Sequence, residues 1–280
     1  MGKLTGQVAF ITGAARGQGR AHAVKLASEG ADIIAVDRCA DVETARYPMA
    51  TEADLAETVR LVEATGRTVA ASIADTRDLD ALQNAVDAGV QRFGRLDIAV
   101  ANAGIAAAPT MSWDLAPEAF REMMDINVTG VWQTTKVAIP HILAGGRGGS
   151  VILVSSMAGL RGVPGIVHYA SAKHAVAGMA KSIANEVGWA NIRVNSIHPG
   201  NVRTTMIDNE PMVRGFRPDL DDPVLDDTAE IMQKLNLLPL PWVEAEAIAD
   251  AVLYLVADTG RGITGAALPV DLGTSAKFGG

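Results

Sequence analysis

The chain has almost no cysteine. Of 280 residues only Cys39 carries a thiol, so no internal disulfide can form and the sequence suits a reducing compartment. Basic residues are in deficit too: 24 Lys and Arg stand against 32 Asp and Glu, a formal net charge of −8. No basic stripe breaks that balance, and a general nucleic-acid binder needs one to displace phosphate counterions. No apolar run reaches the roughly 18 residues that would span a bilayer. The first strand-like run begins at Val8, leaving no room for a secretory leader, and Gly6 stands where a myristoylation signal needs Ser or Thr. These absences predict a cytoplasmic protein with neither nucleic-acid nor membrane partners. What is present is apolar: 49% of residues are hydrophobic and 20% charged, a balance that folds.

Short apolar runs alternate with longer stretches of helical spacing. Strands are expected at Val8–Ile11, Ile33–Val36, Val69–Ile73, Leu96–Ala101, Val151–Val154, Val194–Ile197 and Ala267–Val270. Between them, helices are expected at Arg16–Ser28, Ala53–Ala64, Leu79–Phe93, Pro117–His141, Val167–Val187 and Ala245–Ala257. Continuous apolar strands separated by helices mean a parallel sheet covered on both faces. The fold class is therefore α/β: a Rossmann-type, doubly wound sheet forming one domain over residues 1–280. The least periodic stretch, 204–241, holds Pro211, Pro218, Pro223, Pro239 and Pro241. A long irregular segment in a compact domain is usually functional, and this one is expected to be a substrate lid.

Thr12-Gly13-Ala14-Ala15-Arg16-Gly17-Gln18-Gly19 follows the first strand and opens the first helix. Glycine lets a backbone turn tightly and approach a pyrophosphate with no Cβ in the way. The helix N-terminus then offers free N–H groups to that anion. Asp37 ends the second strand 18 residues beyond Gly19. A carboxylate there accepts hydrogen bonds from ribose hydroxyls and repels a 2′-phosphate, so NAD is favoured over NADP. Arg16 and Arg38 are nearby cations that soften the preference.

Tyr169 and Lys173 stand four apart, on one face of a helix. Ser156 lies 13 residues before Tyr169, just past a strand end, where ligands bind in open parallel sheets. A free tyrosine has a pKa of about 10, too high for a good base near neutrality. A neighbouring ammonium and an oxidised nicotinamide both favour the phenolate. Tyr169 then exchanges a proton with an alcohol oxygen, Ser156 fixes that oxygen, and Lys173 also holds the nicotinamide ribose.

With these residues the chain resembles the short, single-domain branch of the short-chain dehydrogenase/reductase family over essentially its whole length. Gly13, Gly17 and Gly19 match the spacing of that branch. The resemblance implies that Asp75 contacts adenine and that Asn102, Ala103 and Gly104 support the cofactor cleft. It also implies that Asn127 holds a water on a proton relay to Lys173, and that Pro199, Gly200, Val202 and Thr204 meet the nicotinamide carboxamide. A homotetramer is implied as well. An extra stretch from Cys39 to Ala50, containing Tyr47-Pro48-Met49, leaves the second strand directly after the ribose position. With Leu240-Pro241-Trp242-Val243 and the tail Leu268–Gly273, it resembles the carveol-dehydrogenase-like, mycofactocin-coupled subgroup. That likeness implies tightly held NAD and an external redox carrier.

The expected reaction is interconversion of a hydrophobic secondary alcohol, alicyclic or terpenoid, with its ketone. Two rivals are an NAD-using epimerase or dehydratase of the same fold and a non-catalytic dinucleotide sensor. The first usually needs a longer chain, and the intact Ser156, Tyr169 and Lys173 speak against the second. Trp113, Met206, Met212, Phe216 and Met232 are candidates for the substrate wall. His168 and His198 are expected to be satisfied structural histidines. The acidic run Asp219–Asp227 lacks the turn glycine of a calcium loop, so no metal site is expected.

Overall fold

Along β1 (Val8–Thr12) the side chains alternate between two cores: Val8 and Phe10 enter one, Ala9 and Ile11 the other. A strand covered on both faces has no place for a polar residue until its end, and here that residue is Thr12. The computed structural model describes residues 2–106 and 109–278. β1 is joined by β2 (Asp32–Asp37), β3 (Val69–Ile73), β4 (Ile98–Ala101), β5 (Gly149–Val154), β6 (Ile192–Pro199) and β7 (Ala267–Val270). All neighbours pair in parallel, in the order β3-β2-β1-β4-β5-β6-β7. The expected doubly wound sheet is thus present as one domain.

The helices are α1 (Gly17–Ser28), α2 (Glu52–Glu63), α3 (Leu79–Phe93), α4 (Pro117–Met124), α5 (Gly130–Gly145), α6 (Val167–Val187), α7 (Glu210–Phe216), α8 (Ala229–Lys234) and α9 (Ala245–Val256). α1, α2 and α9 cover one face of the sheet through Leu26, Val62 and Val252; α3, α5 and α6 cover the other through Leu82, Val137 and Val176. Local chemistry sets their ends. Thr51 starts α2 with a reciprocal capping box to Asp54, Asp78 accepts from the Ala81 N–H to start α3, and Gly94 ends α3 at φ +76°.

Two expectations change. The helix expected at Pro117–His141 runs to Gly145 and is not uniform, because Asp125–Thr129 is a π-turn between α4 and α5. Segment 204–241 is not structureless. It contains α7 and α8 and a small core of its own from Ile207, Val213, Leu225 and Met232. Its far end is fastened to the tail just past β7, since the N–H groups of Leu237 and Leu238 both donate to the Leu272 carbonyl at 3.0 Å. Helices of 7 and 6 residues are too short to show a convincing period, which is why the sequence hid them. Among the described residues no helix is long and apolar enough to cross a membrane.

Candidate active site

The strand order reverses between β1 and β4, and chains leaving the two strand ends diverge to open a cleft. The glycine loop forms its floor. Gly13 and Gly17 adopt φ +68° and +53°, left-handed values that other residues reach only at a cost. A Cβ on Gly19 would lie 1.9 Å from the Gly13 carbonyl oxygen. Bare backbone therefore fronts the cleft beside an α1 first turn that holds no acidic residue, an arrangement that could receive an anion. Asn102, just past β4, ties the two sides together: its amide donates to the Thr12 and Gly13 carbonyls at 3.0 and 3.2 Å. The N–H groups of Asn102 and Ala103 donate to the Thr12 hydroxyl.

At one end of the cleft stands Asp37. Its two carboxylate oxygens accept from the backbone N–H groups of Ala15 (3.0 Å) and Cys39 (3.1 Å), which fixes the carboxylate against the glycine loop. Arg38 turns to Asp75 (3.2 Å), leaving its Nη1 buried without a partner. Burial pushes the Asp75 carboxyl up, but hydrogen bonds from Arg77 outweigh this and hold it below the ordinary carboxylate range. Arg77 also reaches Glu122 at 3.1 Å. The insertion 39–50 closes over this end. Arg16 of the glycine loop donates to the Pro48 carbonyl at 2.6 Å, Thr44 donates to Glu122 at 2.7 Å, and the Tyr47 hydroxyl accepts from the Ala106 N–H at 3.2 Å. Val42, Ala45 and Tyr47 pack with Ile105, Met123 and Ile126 in a buried cluster that also touches Tyr169. Burial and the neighbouring Asp37 push the Cys39 thiol up to about 11, which disfavours the thiolate.

At the other end α6 presents Tyr169 and Lys173 to the cleft. Burial pushes the Tyr169 phenol up to about 12; a hydrogen bond with Ser156 works against this and nearby Tyr47 adds to it. Burial brings Lys173 down to about 8. Its ammonium donates to the Val154 carbonyl at 3.0 Å and lies 5.6 Å from the Tyr169 ring centre. Within the chain itself, desolvation is the largest influence on the phenol. Asn127, inside the π-turn, is fully buried. Its side chain pairs with Ile105, accepting from the N–H and donating to the carbonyl, both at 2.8 Å. A Cβ on Gly104 would lie 3.1 Å from the Asn127 oxygen and 3.5 Å from the Lys173 nitrogen, so these groups surround one point of the backbone.

Gly13, Arg16, Gly17, Gln18, Gly19, Asp37, Arg38, Asp75, Asn102, Ala103, Gly104, Tyr169, Lys173 and Thr204 all line this cleft. Asn127, Ser156, Pro199, Gly200 and Val202 are not among its lining residues: Asn127 and Ser156 are buried, Val202 is buried against Val243, and Gly200 is pressed on Asp271. Of the proposed substrate-wall residues only Met206 lines the cleft. Trp113 is 79% exposed, and Met212, Phe216 and Met232 serve the small core of segment 204–241. His198 is satisfied as expected, whereas His168 is buried with neither ring nitrogen bonded. Sequence reasoning missed Thr76, Arg77, Ile126 and Thr205 as lining residues. Only Arg77 left a trace, a cation two places from Asp75.

These features are those of a dinucleotide-binding oxidoreductase site. The model of the short chain dehydrogenase family matches residues 7–212. A (-)-trans-carveol dehydrogenase from Rhodococcus erythropolis is 52% identical, covering 99% of this chain and 100% of its own. The trans-4-hydroxycyclohexanecarboxylate dehydrogenase of Sinomonas cyclohexanicum is 36% identical over 98% of this chain and 95% of its own. A carveol dehydrogenase from Mycobacterium avium, solved in complex with NAD, superimposes with a TM-score of 0.98 at 49% identity, covering 99% of this chain and 100% of that one. The chain belongs to the short-chain dehydrogenase family.

Proposed function

We propose that this protein interconverts a secondary alcohol on a hydrophobic ring with its ketone, using NAD. The observation that carries the reading is one continuous cleft joining Asp37 and the glycine loop to Tyr169 and Lys173. The NAD-bound relative and the two relatives named for ring-borne alcohols support it. Residues Gly13 to Gly19 would hold the pyrophosphate, Asp37 the adenosine ribose, and Lys173 the nicotinamide ribose. NAD supplies the ring that accepts hydride from the carbinol carbon. Tyr169 takes or returns the hydroxyl proton, Ser156 orients the oxygen, and Lys173 places positive charge beside the phenol. Tyr47, Ile105 and Met206 give the cleft apolar surface suited to a hydrocarbon ring. The test is NAD-linked oxidation of carveol and cyclohexanol beside a straight-chain primary alcohol. Turnover of the ring alcohols is expected, and inactivity on both with cofactor bound would refute the reading.

Cofactor choice follows from Asp37. Asp37→Ala should weaken NAD and narrow its advantage over NADP by about tenfold, the equivalent of about 1.4 kcal/mol, because ribose acceptors and phosphate repulsion vanish together. The ratio of kcat/KM for the two cofactors measures it, and an unchanged ratio would move the choice to Arg38.

The insertion is fastened on both sides of the cofactor cleft, through Arg16–Pro48 and Tyr47–Ala106. Release of NAD would require those contacts to open. The protein is therefore expected to retain NAD through gel filtration and to turn over faster with an artificial electron-acceptor dye, standing in for an external redox carrier, than with added NAD alone. A protein that emerges empty and cycles freely with soluble NAD would exclude this role. Segment 204–241 would act as the substrate lid, since Thr204 packs over Gly17 while Met206 faces the cleft.

A homotetramer is proposed through the outer surfaces of α5 and α6. Trp132 and Val167 are 45% and 39% exposed there, and Gly178 faces open space. Ala172 and Ala180 belong to the interior and take no part. Sedimentation should give four copies; a monomer would count against it. The single Cys39 keeps the cytoplasm as the proposed compartment, which cell fractionation tests.

A further inference from the structure

His198 is the penultimate residue of β6 and is fully buried. Its Nδ1 lies 2.8 Å from the carbonyl oxygen of Ser156, and its Nε2 lies 2.9 Å from the Ser196 hydroxyl. A carbonyl only accepts, so Nδ1 carries the hydrogen. Burial disfavours the imidazolium, which leaves Nε2 bare and able to accept from the Ser196 hydroxyl. The tautomer is thus set by the two partners. The chain of bonds runs Ser196 to His198 to Ser156, from the middle of β6, the strand beside the edge strand β7, to the residue proposed to orient the reacting oxygen.

The Ser156 carbonyl needs that bond for a local reason. Ser156 sits where β5 ends and a tight 3-10 turn, Met157–Gly159, begins. Its carbonyl also accepts from the Gly159 N–H at 2.8 Å, and its hydroxyl accepts from the Ala158 N–H at 3.2 Å. Both of those donors lie within the same short turn, so they move with Ser156 if the turn rocks. His198 is the donor from outside, anchored in the paired strand. On the preceding residue, the Ser155 hydroxyl donates to the Lys173 carbonyl at 2.7 Å, which ties the same backbone to α6. The two attachments hold the strand end between β6 and the helix bearing Tyr169.

We propose that His198 is a positioning residue for the catalytic serine: its Nδ1–H fixes the Ser156 peptide and thereby aims the Ser156 hydroxyl at the substrate oxygen beside Tyr169. It touches neither alcohol nor cofactor, and it acts as a neutral donor. The proposal rests on the alcohol-oxidising reading of the site for its kinetic consequence, but its structural consequence is independent of any reaction.

The test compares His198→Phe, which keeps a ring but no donor, with His198→Asn, whose side-chain amide can replace Nδ1–H. Misplacing a reacting group by about 1 Å can cost about 10²-fold. His198→Phe is therefore expected to lower kcat for a ring alcohol such as cyclohexanol by about 10- to 100-fold. KM and NAD retention should change little, and α-deuteration of the alcohol should slow turnover more than in the parent. His198→Asn should restore most of kcat. In the absence of substrate, amide hydrogen exchange over 156–160 should quicken in the phenylalanine variant and return in the asparagine variant. Unchanged exchange there, or kcat within about twofold of the parent, overturns the proposal. Equal damage in both variants, with lost NAD, also overturns it, because packing would then be the role. If the phenylalanine variant does not fold, Ser196→Ala replaces it: quicker exchange at 156–160 supports the proposal and unaltered exchange overturns it. A parent protein that oxidises no ring alcohol defeats the functional reading instead, and the exchange arm still decides the role of His198.

Discussion

Tyr169→Phe should lower turnover by about 10²–10⁴-fold, the usual worth of general acid–base catalysis, while NAD retention stays within about twofold. The ring would still pack against the cluster formed by Tyr47, Ile105 and Ala172, so the wall of the cleft survives. What disappears is the hydroxyl that hydrogen-bonds Ser156 and that, in the proposed reaction, exchanges the proton. Burial already holds that phenol at about 12 within the protein, so the parent should oxidise alcohol faster as pH rises and more phenolate forms. The variant should lose that slope as well as its rate. Steady-state kinetics between neutral and alkaline pH check both, and a variant that keeps substantial activity would remove Tyr169 from its role.

Gly19→Ala is expected to weaken NAD by about 10- to 100-fold with the fold largely intact. A methyl group there would stand 1.9 Å from the Gly13 carbonyl oxygen and 2.8 Å from the Asn102 amide nitrogen. Neither neighbour is the free end of a flexible side chain, so the loop itself must shift. Overpacking of this sort costs about 1–3 kcal/mol, and each 1.4 kcal/mol is tenfold in affinity. The loss falls on binding because the displaced backbone is the surface the pyrophosphate needs, whereas the sheet beneath is held by its own ladder. Calorimetric titration of cofactor-stripped protein measures the affinity, and thermal unfolding measures the fold. Undiminished affinity would show that the glycine loop is not the phosphate cradle.

Much of this site was legible because its chemistry is local. The glycines fall within one loop, and Tyr169 and Lys173 fall within one helical turn, so spacing alone brings them together. Ser156 stands out in the sequence because it follows a strand end on the carboxyl side of a parallel sheet, although its neighbour Ser155 is the residue that lines the cleft. The insertion was visible as surplus length after Asp37. What spacing cannot show is contact between distant segments. Arg77 joins Asp75 to Glu122, 45 residues away, and nothing near either residue announces it. The role of His198 depends on β5 lying beside β6, a pairing that the periodicity of either strand leaves open. Pro199, Gly200 and Val202 lie outside the lining of the cleft. Gly200 packs against Asp271 of the C-terminal tail, and Val202 pairs with Val243.

The π-turn at Asp125–Thr129 has a consequence for the helix that contains it. An α-helix advances about 100° per residue, so one residue accommodated in a wider turn rotates everything on one side against the other. The phase slips, and a single rod serves two interiors. Met123, before the slip, enters the cluster under the insertion; Val131 and Val137, after it, enter the core beneath the sheet. An unbroken helix would hold one stripe in register along its length and could not satisfy both. Asn127 occupies the slip itself, where the widened backbone lets its side chain turn to Ile105. The placement of Asn127 and the change of packing partner thus share one origin, and any insertion or deletion that regularised the helix would dislocate both at once.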